Sequence, residues 1–119
     1  MFIAYEIAKQ LLITLAPLVA QIKREDLDLA DQLKRAAQSV LLNLAEGQRY
    51  NNGNKLRHYG IAQGSANEVR AALDAAVAWG WIAADGDERV LLDRLLAVLW
   101  KLTHSPALQS LGAQRTRRS

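Results

Sequence analysis

The sequence predicts an all-α protein, a single-domain four-helix bundle with antiparallel, up-down-up-down connections. Half of the 119 residues are hydrophobic, and leucine and alanine dominate them while aromatics are few. Such side chains lose least on entering a helix. Four segments carry apolar residues at helical spacing, and the stretches between them are short and contain Asn, Asp and Gly. No segment alternates apolar with polar residues as a strand does, and no internal repeat occurs. A chain of this length suits one core. The domain is expected over residues 1–111, with a basic, disordered tail at 112–119.

The first helix is expected from about Phe2 to Lys23. Ile3, Ile7, Leu11, Leu15, Leu18 and Ile22 form one apolar stripe, and Ala4, Ala8, Leu12, Ala16 and Val19 form a second beside it. Glu6, Gln10, Thr14, Pro17 and Gln21 share the narrow polar arc that is left. Proline inside a helix costs about 3 kcal/mol by removing a hydrogen bond. On the polar arc water can reach the freed carbonyl of Ile13, which favours a kinked continuous helix over a break.

The second helix is expected from about Asp26 to Gln48. Leu29, Leu33, Ala36, Ala37, Val40, Leu41 and Leu44 make its core face, and Glu25, Asp26 and Asp28 suit its positive N-terminal end. The third is expected from about Asn54, as N-cap, to Ile82. Its core face holds Ile61, Ala62, Ser65, Val69, Ala72, Leu73, Ala76 and Val77. The fourth follows the Asp85-Gly86 turn and uses Leu91, Leu95, Val98, Leu99 and Leu102. It ends near His104, because Pro106 disfavours helix at Ser105. One further turn is allowed from Ala107.

Helix 3 carries a second stripe of Gly60, Gly64, Ala71, Ala75 and Ala78, with Glu68 among them. A glycine inside a helix costs roughly 1 kcal/mol against alanine, so two of them four apart suggest a close neighbour. That neighbour is either helix 2 of the same bundle or another subunit. The wide apolar surface of helix 1, together with Trp79, Trp81 and Trp100 near helix ends, favours self-association.

The totals limit the chemistry. There is no cysteine, which removes disulfides and thiolate sites. The histidines are His58 and His104, with lysines three residues before them, so the Glu-x-x-His pairs of a dimetal bundle site are lacking. Each histidine reads as a surface group. Neither a phosphate-binding glycine loop nor a dinucleotide fingerprint occurs. No metal or cofactor is expected, and no enzymatic activity has support. No stretch reaches the roughly 18 uncharged apolar residues of a membrane span, and no secretion signal opens the chain, so a cytoplasmic protein without a membrane partner is expected.

The net charge is +3, but Arg115, Arg117 and Arg118 lie in the last five residues. The remaining twelve basic groups match the twelve acidic ones, so the body is neutral in sum. Gln32, Ser39, Asn43 and Glu46 form a polar line on helix 2, and Ser65 and Glu68 border the core face of helix 3. Half-buried polar groups need partners. They are expected to cross-link helices, with Glu46 meeting a basic residue; a polar groove for a ligand is the other reading. Arg49, Lys55, Arg57 and His58 gather at the connection between helices 2 and 3, interleaved with Tyr50 and Tyr59. Cations for phosphates beside rings for bases are what single-stranded nucleic acid requires.

Three linked elements resemble the 23S rRNA-intervening-sequence proteins, a family that includes the accessory variability protein of diversity-generating retroelements. They are Gln32-Leu33-Lys34-Arg35-Ala36-Ala37-Gln38-Ser39, Asn43-Leu44-Ala45-Glu46-Gly47 and Ile61-Ala62-Gln63-Gly64-Ser65-Ala66-Asn67-Glu68. The resemblance implies a four-helix bundle that forms barrel-like pentamers. It also implies a structural joint in which Ala45-Glu46-Gly47 faces Gly64, Ser65 and Glu68, with the glycine ending or bending helix 2. In the retroelement branch a basic barrel surface engages nucleic acid and a reverse transcriptase. The neutral body departs from that pattern. A non-enzymatic oligomeric adaptor that binds RNA is therefore expected, with a protein-interaction scaffold as the alternative.

Overall fold

A computed structural model describes residues 2–104. The expected turn after Ala107 and the expected domain boundary at 111 lie outside those residues. Four helices make up the fold: α1 (Ile3–Lys23), α2 (Leu27–Gly47), α3 (Gly53–Ala78) and α4 (Asp87–Thr103). Helix α1 packs against α2 and α4, and α3 packs against α2 and α4, which closes an up-down-up-down bundle. The α2–α3 pair is the most extensive.

Helix α1 runs unbroken through Pro17, which is exposed, as is Ile13, four residues before it. Its core stripe is Ala4, Ile7, Ala8, Leu11, Leu15 and Ile22. By length and composition alone this helix passes for a membrane span, a test that the core helix of a bundle also passes. Ile3 and Ile13 remain exposed, at 50% and 61%, so the apolar surface of α1 exceeds what one bundle covers.

Asp26 caps α2 by accepting from the Leu29 N–H at 3.0 Å. Asn52, rather than the expected Asn54, caps α3 through the Asn54 N–H. The end of α3 also differs from expectation. It stops at Ala78, four residues early, because Gly80 takes a left-handed conformation with φ of 79°. Gly80 N–H then bonds to Val77 O and Trp81 N–H to Ala76 O, the paired bonds of a Schellman stop.

Helix α4 buries Leu95 and Leu99 as expected, but its core face is turned toward Glu88, Leu92 and Thr103. Glu88, Leu92, Leu95, Leu99 and Thr103 are buried, while Leu91, Val98 and Leu102 are half-buried on the flank. Its leucines and valine populate two adjacent stripes, and the inward one packs Leu92, Leu95 and Leu99 into the core with Thr103 Oγ1 donating to Gln63 Oε1 at 2.9 Å.

Nor is Ile61 in the core; at 39% exposure it lies on the outer side of α3 with Gly60 and Gly64. A Cβ added at either glycine would meet nothing within 4 Å. The glycine stripe is therefore not a close contact with α2, and that reading is overturned.

Candidate nucleic-acid interface and the polar seam

The α2–α3 pairing brings the polar residues of the two helices together as a chain. Asn43 Nδ2 donates to the Ser39 carbonyl at 2.9 Å and to Ser39 Oγ at 3.2 Å, and Ser39 Oγ shares a 2.7 Å hydrogen bond with Ser65 Oγ. Because the Asn43 amide nitrogen points to a carbonyl, its oxygen faces His58 Nδ1, 3.0 Å away. An amide oxygen only accepts, so His58 carries a proton on Nδ1. His58 is thus a half-buried cross-link, not the free surface group expected from the sequence. Its ring stacks on Tyr50 with centroids 5.8 Å apart, and the Tyr50 hydroxyl donates to Glu46 at 3.3 Å. Glu46 also pairs with Arg49 at 3.3 Å. The expected cross-linking role thus holds for Ser39, Asn43 and Ser65, and Glu46 does meet a basic residue.

Helix α2 ends at Gly47 as expected, but not through a left-handed glycine: the Gly47 backbone stays helical, and among the described residues the positive-φ glycine is Gly80. A Cβ on Gly47 would lie 2.6 Å and 2.8 Å from two ring carbons of Tyr59. The glycine admits that ring against the end of α2. Ala45-Glu46-Gly47 consequently faces the His58-Tyr59 turn of α3, whereas Ser65 pairs higher up with Ser39. The antiparallel register requires this, since the end of α2 must meet the start of α3.

Among the cationic cluster, Arg49 is 71% exposed at its side chain, Arg57 is exposed and Lys55 is half-buried. Tyr59 does not join them. Its ring is 3% exposed, packed against Gly47 and 5.7 Å from the Phe2 ring, and burial raises its hydroxyl pKa above 10.0. Lys55 Nζ approaches the Tyr59 ring at 5.6 Å. The ring nearest the surface is Tyr50, half-buried on His58.

The neutral sum of the body conceals a separation. At the end formed by the α1–α2 and α3–α4 connections, Glu25, Asp26, Asp28, Asp85, Asp87 and Glu88 outnumber Lys23, Arg24 and Arg89; at the opposite end Arg49, Lys55 and Arg57 outnumber Glu46. The helices between them are about 30 Å long at 1.5 Å per residue. That exceeds a Debye length of roughly 8 Å at physiological salt, so the ends act as separate fields. Sequence counting could not reveal this, because it needs the topology.

Between α2 and α3, Gln32, Arg35, Ser39, Ser65 and Glu68 line a groove of about 700 Å³ over alanines. Gln32 and Glu68 of the polar line face this groove instead of joining the seam. Among the described residues, no group of three or more metal-ligating side chains converges.

The fold and seam define a class: an antiparallel four-helix bundle whose second and third helices are joined by a buried-edge polar network. The 23S rRNA-intervening sequence protein family matches residues 2–99, and the chain belongs to that family. Neither curated proteins nor solved structures gave a match.

Proposed function

We propose that the protein is a non-enzymatic, cytoplasmic adaptor that assembles with copies of itself, as a pentamer, and binds RNA at the α2–α3 end of the bundle. The observation that carries the RNA reading is the separation of charge, which leaves exposed cations at one end of a body neutral in sum. Arg49 can exchange its partner for a phosphate, because an exposed ion pair contributes only about 0–1 kcal/mol. Assembly would repeat the patch around a ring and strengthen its field. Self-association rests on Ile3, Ile13, Ile61 and the glycines of α3, which the single bundle leaves uncovered. The groups of the polar seam satisfy one another across helices, which fits a structural role and not a catalytic one. A reverse transcriptase or another nucleic-acid enzyme is the kind of protein such an adaptor would accompany.

The test is binding of an unstructured RNA at low salt, followed by anisotropy. Replacing Arg49, Lys55 and Arg57 with Gln should weaken binding similarly for unrelated sequences, since phosphate contacts carry no base information. The slope of log affinity against log salt should become shallower by about 2, at roughly 0.7 per lost contact on a single strand. A variant lacking residues 115–119 controls for the arginine tail. If truncation abolishes binding and the triple replacement does not, the folded site is wrong. If the intact protein binds no RNA, the scaffold reading stands in its place. Trp79 and Trp100, exposed at 71% and 55%, are the observation that favours that alternative.

A further inference from the structure

The groove between α2 and α3 has walls of opposite charge. Arg35 stands on the α2 wall and Glu68 on the α3 wall. Both are exposed, and neither forms an ion pair or hydrogen bond with a described residue. Ion pairs form elsewhere between Lys9 and Glu6, Arg49 and Glu46, and Arg89 and Asp74 at 2.7 Å; what sets Arg35 and Glu68 apart is that they line the two walls of one groove. The groove floor is shallow because it is built from Ala36, Ala72 and Ala75. On the outer side of α3, Gly60 and Gly64 leave open space where any larger side chain would stand. The Ser39–Ser65 hydrogen bond lies at the groove and holds its two walls together.

We infer that this groove is the contact between copies of the chain, in which Arg35 of one protomer pairs with Glu68 of the next. The inference rests on the self-association reading and names its site. A surface that holds an unpaired cation and an unpaired carboxylate on opposite walls is complementary to itself. In a closed ring each protomer can satisfy both charges head to tail, its Arg35 meeting one neighbour and its Glu68 the other. A helix laid over alanine and glycine can approach closely, which dehydrates the pairs. Water-facing glycines cost helix stability and pack nothing inside a single bundle, since the core of α3 is formed by Ala62, Ala66, Val69 and Leu73 on its other side. Opposed charges at a contact chiefly set register and partner choice, and like charges placed together cost several kcal/mol.

Charge exchange tests this directly. Arg35→Glu and Glu68→Arg should each weaken assembly roughly a hundredfold, the factor that corresponds to a few kcal/mol of like-charge contact. The double variant R35E/E68R restores the pairs in reversed sense and should re-associate at concentrations near the wild type's. Sedimentation velocity across a dilution series measures all four proteins, and far-UV circular dichroism checks that helix content is equal. Both side chains are exposed, so each variant retains the core. If the wild type assembles and the single variants assemble equally well, the groove is not the contact, and self-association proceeds through another face. If the singles dissociate and the double variant stays dissociated, the Arg35–Glu68 pairing is wrong. If the wild type is itself a monomer of about 13 kDa, the self-association reading fails and takes this inference with it.

Discussion

Gly47→Ala should destabilise the protein although alanine is the better helix former. The added Cβ would sit 2.6 Å and 2.8 Å from ring carbons of Tyr59, well inside van der Waals contact. The ring has no room to withdraw, being 3% exposed and flanked by Phe2. Overpacking of this kind costs about 1–3 kcal/mol. The helix-propensity gain of alanine over glycine is at most about 1 kcal/mol in a helix interior, and less at the last residue of α2. The net loss is thus about 1–2 kcal/mol, or a fall in Tm of about 4–8 °C for a chain of this size. Thermal melts should be run at one fixed protein concentration, because assembly makes Tm concentration-dependent. Tyr59→Leu supplies the coupling test: with the ring removed, Gly47→Ala should cost nothing or stabilise slightly. In separated protomers Gly64→Ala should raise Tm, since nothing lies within 4 Å of its added Cβ. A Gly47→Ala protein that melts at or above the wild-type temperature would refute the close approach at the α2–α3 joint.

Two further outcomes follow from the same joint. Ser65→Ala should cost about 0.5–1.5 kcal/mol in urea unfolding, and the double change Ser39→Ala with Ser65→Ala should cost less than the sum of the singles, because a partnered hydroxyl is lost from both sides. Strict additivity would mean the 2.7 Å hydrogen bond contributes nothing. Stability should also fall at alkaline pH through Tyr59. Burial raises its folded-state pKa above 10.0, so the folded state holds the proton more tightly than the unfolded chain. The stabilisation is fully present below pH 10 and is lost as pH rises from the unfolded value through the folded one. A Tyr59→Phe protein should lack that component of the alkaline loss; an unchanged pH profile would contradict it.

The amino-acid sequence by itself determined the fold class. Helix-forming composition and four apolar periodicities with short connections point to a bundle, and Asp26 and the turn at Asp85-Gly86 mark helix starts through local hydrogen bonding and turn preference alone, whereas at α3 the cap is Asn52 and not the expected Asn54. Gly80 carried an equally local signal, a glycine just past the last core residue, but the following Trp81-Ile82 extends the apolar pattern and hides it. The phase of α4 was not legible, because Leu91 and Leu92 are adjacent and only packing against the other helices decides which of them enters the core.

The candidate site was legible as a list of residues and not as an arrangement. Ser39, Asn43, Glu46 and Ser65 are placed by helical spacing at the core margin, so their need for partners could be read directly. Which partners they take depends on the antiparallel register of α2 against α3, a long-range quantity. That register puts Tyr59 under Gly47 and removes its ring from the surface, and it leaves Arg35 and Glu68 facing one another's walls without pairing. Charge followed the same rule. Summation along the chain gives a neutral body, whereas folding leaves an excess of acids at one end and of cations at the other, because alternate connections of an up-down bundle lie at opposite ends.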